Sequence, residues 1–283
     1  MTFAPSFRSA FFILRRSRGF KVLAIVSMVT PAIAILLQQL LAMRLRAQEM
    51  LQGNGSEESV VANAFVTASE GAGYGLLFLG LCSVTWTAAT TARQFESTHL
   101  RFIWTRGISR TDWFISHTVV LTMAVLFCEL LLLASATLIS SCFHDFGPIT
   151  QDGIELWSTG EISEEIVRAL WCVTVPLLAS VALGVASGVA VRSVGFAATC
   201  HLILTLALDL FQDIFAGWGR YTHLAYLPSF RDHSYWVELK KFLQGFSDAG
   251  FAPELLTLNA WVPSVQAILF LILGWWITLR RRA

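Results

Sequence analysis

Charge is scarce in this 283-residue sequence: Asp, Glu, Lys and Arg make up 14% of it against 55% hydrophobic residues, and the mean hydropathy is +0.63. A soluble domain of this size does not present so little charge to water, so the expected solvent is a bilayer. The net charge of +1 is spread among apolar spans, which leaves no basic face for nucleic acid. There is no GxxxxGK[ST] loop, no GxGxxG following a strand and no HExxH, so the chain lacks the usual devices for gripping nucleotide phosphates or a zincin metal. Its five cysteines, Cys82, Cys128, Cys142, Cys172 and Cys200, lie at or inside hydrophobic spans with no CxxC pair. That pattern points to neither a disulfide framework nor a zinc site. No internal repeat supports an inverted-repeat transporter, and no connecting segment is long enough for a soluble domain of its own.

Long apolar runs are what the sequence has in quantity. About 20 residues cross ~30 Å of hydrocarbon, and six stretches meet that length, near 21–42, 71–91, 118–141, 169–191, 194–216 and 262–279. The expected fold is all-α, one polytopic transmembrane domain over residues 1–283. Ahead of the first span, Phe3, Phe7, Phe11 and Leu14 recur at helical spacing and Arg15, Arg16 and Arg18 follow them. This order, apolar before basic, opposes a cleaved signal peptide and predicts an amphipathic helix on the membrane surface. With the N-terminus inside, thirteen of the 20 Lys and Arg residues fall on inner segments, which predicts both termini cytoplasmic. The outer segments 43–70 and 142–167 read as polar, solvated connections. The third, 217–261, is rich in Trp, Tyr and Phe and is expected to lie in or dip into the interface.

One basic segment stands between two spans, ARQFESTHLRFIWTRGISRTDWFISHT, beginning at Ala92. It reads as helix, turn, helix: a surface helix from Arg93 to Thr105, a stop at Gly107, and capping-box spacing from Ser109 to Asp112. The segment resembles the inner loop of permeases of the type-2 ATP-binding-cassette exporters, whose pattern is R-E-x-E-x-G-T-x-R followed by W-T or L-T and an [ST]-R-x-x-W/L step. Arg93, Phe95, Glu96, Arg101, Trp104, Thr105, Ile108, Ser109, Arg110 and Trp113 stand in register with it, while Gln94 replaces Glu and Thr98-His99 replace Gly-Thr. Looser likeness extends to the N-terminal amphipathic stretch, to Gly184-x-x-x-Gly188 before Arg192, and to Tyr226-Leu227-Pro228-Ser229.

The resemblance implies a membrane half-transporter of six spans with a cytoplasmic coupling helix within 92–117. It implies pairing with a second copy or a similar permease, ATP and Mg held by a separate ATPase subunit, and a place in the plasma or inner membrane. The coupling residues it implies are Arg93, Phe95, Glu96, Arg101, Trp104, Thr105 and Arg110. Such a subunit moves an amphipathic or hydrophobic solute outward and is not itself an enzyme. The alternative is an anchor or sensory subunit that recruits an ATPase and transports nothing.

Ionisable residues inside spans are the candidates for a translocation path. Glu129 sits mid-span, where a charge costs about 2.5 to 3.5 kcal/mol, so it is expected to face protein or water, either on a path or as a protonated carboxyl bonded to a neighbouring helix. His201, Thr205, Asp209 and Asp213 recur every four residues and share one face. They make neither a nucleophile-base pair nor a metal set. The topology is open to single-cysteine labelling in intact cells on a cysteine-free background. A cysteine at Ser109 should resist an impermeant reagent supplied from outside and one at Ser56 should react; labelling at position 109 from outside overturns the orientation.

Overall fold

A backbone crossing hydrocarbon has no water to bond, so its N–H and C=O groups must pair within the segment, and helices do this. The computed structural model describes residues 3–52, 63–96, 100, 104–105, 107–151, 154–191, 193–211, 219–229, 234–246 and 253–280. Helices α1 (Phe3–Arg16), α2 (Arg18–Gln52), α3 (Ala64–Glu96) and α4 (Arg110–Ser140) precede a short antiparallel hairpin of β1 (Ile149–Gln151) and β2 (Ile154–Trp157). Then come α5 (Thr159–Ala190), α6 (Val194–Phe211), two 3-10 turns (Gly219–Tyr221 and His223–Tyr226), α7 (Tyr235–Leu243) and α8 (Pro253–Arg280). Among the described residues, five helices are long and apolar enough to cross a membrane: α2, α3, α4, α5 and α8. The apolar stretch of α6, Val194–Leu208, is shorter than these, and residues 212–216 of the expected fifth span lie outside the described residues.

The helices overrun the boundaries read from hydropathy. The 35 residues of α2 rise about 52 Å against ~30 Å of hydrocarbon, because helical hydrogen bonding continues after apolarity stops. Segment 43–70 is accordingly helical at both of its ends, and 142–167 contains the hairpin and the first turns of α5. Local signals fix the starts. Ser109 Oγ accepts from Asp112 N at 3.0 Å, Gly107 makes the turn ahead of it at φ +83°, and Ser158 with Glu161 forms a reciprocal capping box.

At the centre, α5 lies against α3 through its small-residue face. A Cβ at Gly184 would overlap Thr87 Oγ1 and come 2.7 Å from the Val84 carbonyl oxygen, and one at Gly188 would sit 2.5 Å from the Ala88 carbonyl oxygen. Lacking a Cβ lets the backbones meet. α2 and α8 are peripheral and turn Ile25, Leu36, Leu40, Ile268, Leu269 and Ile272 outward, as a lipid-facing surface requires. At the hairpin end, Ala64 N donates to the Asp145 carbonyl at 3.2 Å and Asn63 Nδ2 to that of Gly147 at 2.8 Å.

Part of the aromatic segment 217–261, expected in or dipping into the interface, is packed into the bundle, while Tyr221, Phe246 and Trp261 are exposed. Tyr235, Trp236, Leu239, Phe242 and Leu243 of α7 are buried against α3 and α5. Trp236 Nε1 donates to the Ser69 carbonyl at 2.9 Å, and the Tyr235 hydroxyl to the Glu165 carboxylate, which also pairs with Arg168 at 2.9 Å. Burial raises the pKa of the Tyr235 phenol, and the Glu165 hydrogen bond and charge raise it further.

Pro176, inside α5, has no N–H to give the carbonyl four residues back, that of Cys172. Asn259 Nδ2 of α8 donates to that carbonyl at 2.9 Å, so a break in one helix becomes a bond between two. Asn259→Ala should therefore lower stability by about 1 kcal/mol. In a Pro176→Ala background the restored amide N–H satisfies Cys172 internally, and the cost of Asn259→Ala should shrink. Unfolding midpoints of the four proteins in detergent measure the coupling; strict additivity would show that the two sites act independently.

Candidate functional site

The polar centre of the α1 end of the bundle is built on the last turns of α3 and the first turns of α4. Thr87, Thr91 and Gln94 follow one another on one α3 face, while Trp113 and His117, four apart, face them from α4. Trp113 Nε1 donates to Gln94 Oε1 at 3.0 Å, which orients the amide. Gln94 Nε2 then lies 3.1 Å from His117 Nδ1, and His117 Nε2 lies 3.0 Å from Thr91 Oγ1. An amide nitrogen only donates, so Nδ1 accepts and the ring proton sits on Nε2, donating to Thr91. The Trp113 and His117 rings stack with centroids 5.1 Å apart and planes 11° from parallel. Gln94, Trp113 and His117 are all buried.

Gln94 is one of the residues that depart from the exporter pattern, and its amide decides which ring nitrogen of His117 carries the proton. A glutamate could accept both from Trp113 and from His117 with the ring proton moved to Nδ1, so the amide fixes that proton on Nε2 where a carboxylate would fix it on Nδ1.

The segment expected as a separate surface helix starts as the end of α3: Arg93, Gln94, Phe95 and Glu96 belong to that helix's last turn. Arg101 lies outside the described residues. Phe95 meets Trp113 edge-on at 5.3 Å and Trp104 at 6.5 Å. Arg110 places its guanidinium 4.9 Å over Trp104 and donates to the Leu279 carbonyl near the end of α8. Glu96 Oε1 accepts from Val194 N at 2.7 Å, a carboxylate at the N-terminus of α6, where the helix dipole favours negative charge. Arg93 and Thr105 are exposed. Leu14 of α1 joins Trp113, Phe114, Val181 and Val185 in one buried cluster, against which Phe95, Trp104, Ile108, Leu271 and Ile277 pack.

Beside the network a cavity of about 540 Å³ opens between α1, α3, α4 and the start of α6. Ile13, Leu14, Val120 and Leu121 give it apolar walls, Trp86 and Gln94 belong to its α3 side, and Arg16 and Arg93 also line it.

The chain belongs to the DUF2705 family. The match, to a family described as "Protein of unknown function (DUF2705)", covers residues 32–282, from within α2 to the last residues of the sequence. No curated protein matches the chain.

In this DUF2705 chain Glu129, His201 and Thr205, the expected path residues whose side chains are described, are distributed over α4 and α6. Glu129, buried in α4, accepts from Thr174 Oγ1 of α5 at 2.8 Å, the helix-to-helix bond that was one of its two expected environments. α6 packs chiefly on α3, with lesser contact to α5 and the second 3-10 turn. On it His201 is buried, and Thr205 lines a pocket of about 40 Å³ with Gly80, Leu206, Leu224, Leu227 and Pro228. A Cβ at Gly80 would approach Leu227 Cδ1 to 3.2 Å, so the Tyr226-Leu227-Pro228-Ser229 stretch seats into the gap that glycine leaves. The Asp209 side chain and all of Asp213 lie outside the described residues. Nearby, Gln266 Oε1 accepts from both His223 N, at 2.9 Å, and His223 Nδ1, at 3.0 Å. Burial pushes the His223 pKa down to about 4, against the upward pull of that hydrogen bond. Tyr226 is raised by burial, and its hydroxyl donates to the Arg220 carbonyl at 2.6 Å.

Thr91, His117 and Trp86 were not singled out in the sequence. The available signal was the pairing of polar residues at i, i+3 and i+4 on two neighbouring spans. Gln94→Leu strands Trp113 Nε1 and His117 Nδ1 in a buried site and should cost about 1–3 kcal/mol for each group left unpartnered. Arg93→Gln, one residue away on the exposed side, should stay within about 0.5 kcal/mol. Unfolding midpoints of the purified protein compare the two; an unchanged midpoint in Gln94→Leu removes the network from the stability account.

Proposed function

We propose that this chain is the permease subunit of a type-2 ATP-binding-cassette exporter. It has six spans and both termini in the cytoplasm of a cell whose plasma or inner membrane it crosses. Two such chains, or this one and a similar permease, form the path, and a separate ATPase subunit holds ATP and Mg. The solute is amphipathic or hydrophobic and moves outward. The resemblance of residues 93–113 to the exporter loop supports the reading.

The observation that carries it is mechanical. A short stretch at one end of the bundle is bonded or packed to nearly every long helix: Glu96 to α6, Arg110 to α8, Gln94 across α3 and α4, and Trp113 into a cluster with α1 and α5. A push delivered there by a soluble partner reaches the spans together, because packed helices shift as discrete units and do not deform continuously. Arg93 and Thr105 are exposed for such a partner to grip. This feature favours coupling over a simple anchor, which needs a handle but no linkage to most of the spans.

The test is recovery of the ATPase with the tagged full chain, together with solute-stimulated ATP hydrolysis in reconstituted vesicles. Glu96→Lys and Arg101→Glu should each lower ATPase recovery about tenfold or more, as truncated interface charges do. Glu96→Gln keeps an acceptor for Val194 N, so loss in both Glu96 variants places the effect at the partner surface, and loss in Lys alone places it at the α6 cap. Full recovery and full transport in Glu96→Lys and Arg101→Glu would overturn the coupling role. ATPase recovery with no solute able to stimulate hydrolysis would favour the anchor.

A further inference from the structure

The cavity between α1, α3, α4 and the start of α6 has a one-sided chemistry. Its volume, about 540 Å³, is within the ~300–1,000 Å³ of ordinary ligand sites. Among the described residues that line it there is no Asp or Glu, while Arg16 and Arg93 both reach it. Trp86 Nε1–H is buried and has no acceptor among the described residues, although Trp86 itself is only part-buried. The charged groups of the site are cations, and the indole adds a donor. The remaining surface is mostly hydrocarbon: Ala10, Phe12, Ile13, Leu14, Val120 and Leu121.

The surroundings say where such a site lies. α1 packs along the first turns of α4, with Ser6 Oγ donating to the Asp112 carbonyl at 3.3 Å and Leu14 buried, while Phe3, Phe11 and Phe12 remain exposed. A helix with basic and exposed aromatic residues beside spanning helices belongs at the level of lipid headgroups. A basic pocket between helices at that level recognises an anionic headgroup, and an apolar wall running from it accepts the attached chain.

We propose that this cavity seats one anionic phospholipid, its phosphate held by Arg16, Arg93 and the Trp86 indole N–H and an acyl chain lying along Ile13, Leu14, Val120 and Leu121. The site wedges lipid between α1 and the Gln94–His117 network, so its occupancy sets how closely α1 approaches α3. Donors without a carboxylate reject a zwitterion's cationic half no less than they attract its phosphate, which selects phosphatidylglycerol over phosphatidylcholine. The site stands independently of whether the chain transports a solute.

Native mass spectrometry of the full chain, released from nanodiscs containing both lipids, reads the occupancy. One phosphatidylglycerol per chain should be retained above the phosphatidylcholine background. Arg16→Gln with Arg93→Gln should cut that retention about tenfold or more, whereas Arg8→Gln with Arg15→Gln, on α1 but outside the cavity, should not. Ala89→Phe fills the cavity with every charge in place and should also expel the lipid; Thr90→Phe serves if the first variant unfolds. Acyl-brominated phosphatidylglycerol should quench a fluorescence component present in the wild type and missing in Trp86→Phe. Equal retention of the two lipids, or retention unchanged by both filling variants, would overturn the proposal. So would full displacement by inorganic phosphate, which would reveal a plain anion site. Loss of ATPase recovery in the double-arginine variant with lipid retention intact would overturn it too, by giving the arginines to a protein partner.

Discussion

Where α5 meets α3, Gly184 and Gly188 let the helix backbones touch, and the other spans are arranged around that contact. In hydrocarbon, lipid tails are as apolar as leucine, so burying apolar area gives two helices little reason to associate; close van der Waals packing supplies it. A single methyl at position 184 would strike the Thr87 hydroxyl and the Val84 carbonyl, and the carbonyl is backbone that yields only if the helix moves. α3 and α5 are consequently the most buried of the long helices, and α2 and α8 the least.

Polar side chains then decide how the outer helices register on this pair. Asn259 ties α8 to the carbonyl that Pro176 leaves open in α5, Thr174 ties α5 to Glu129 of α4, and Gln94 ties α3 to α4 through His117 and Trp113. Each such bond contributes only about 1 kcal/mol net, but a mispaired arrangement strands both partners in hydrocarbon at a larger cost. The bonds act less as glue than as register marks.

The α1 end combines both devices in a small volume. An aromatic cluster, a buried amide, a carboxylate at the head of α6 and an arginine on the last carbonyls of α8 meet within the stretch that resembles an exporter's coupling loop. Glu96 and Arg110 carry intramolecular bonds there, so their charges serve the fold whatever else they serve. These bonds wire to the spans a loop whose composition reads as a plain basic topology signal.

Hydropathy alone determined that the chain is helical with runs long and apolar enough to cross a membrane, and spacing alone located the Ser109 cap, the Gly107 turn and the Gly184/Gly188 face. Helix ends were not legible: apolarity reports the hydrocarbon, whereas hydrogen bonding carries α2 on to Gln52 and carries α3 through Arg93 to Glu96, absorbing the start of the expected surface helix. Composition did not tell which aromatic residues of 217–261 pack into the bundle: Tyr235 and Trp236 are buried, while Tyr221, Phe246 and Trp261 are exposed. Tyr235 and Trp236 are equally at home in either setting, and only acceptors on Glu165 and Ser69, far away in sequence, drew them inward. Gln94 likewise read as a departure from a pattern, because its worth depends on His117 and Trp113 across a neighbouring helix. A side chain's polarity is written in the sequence, but its partner is chosen by which helices touch, and that choice was made by the tertiary packing.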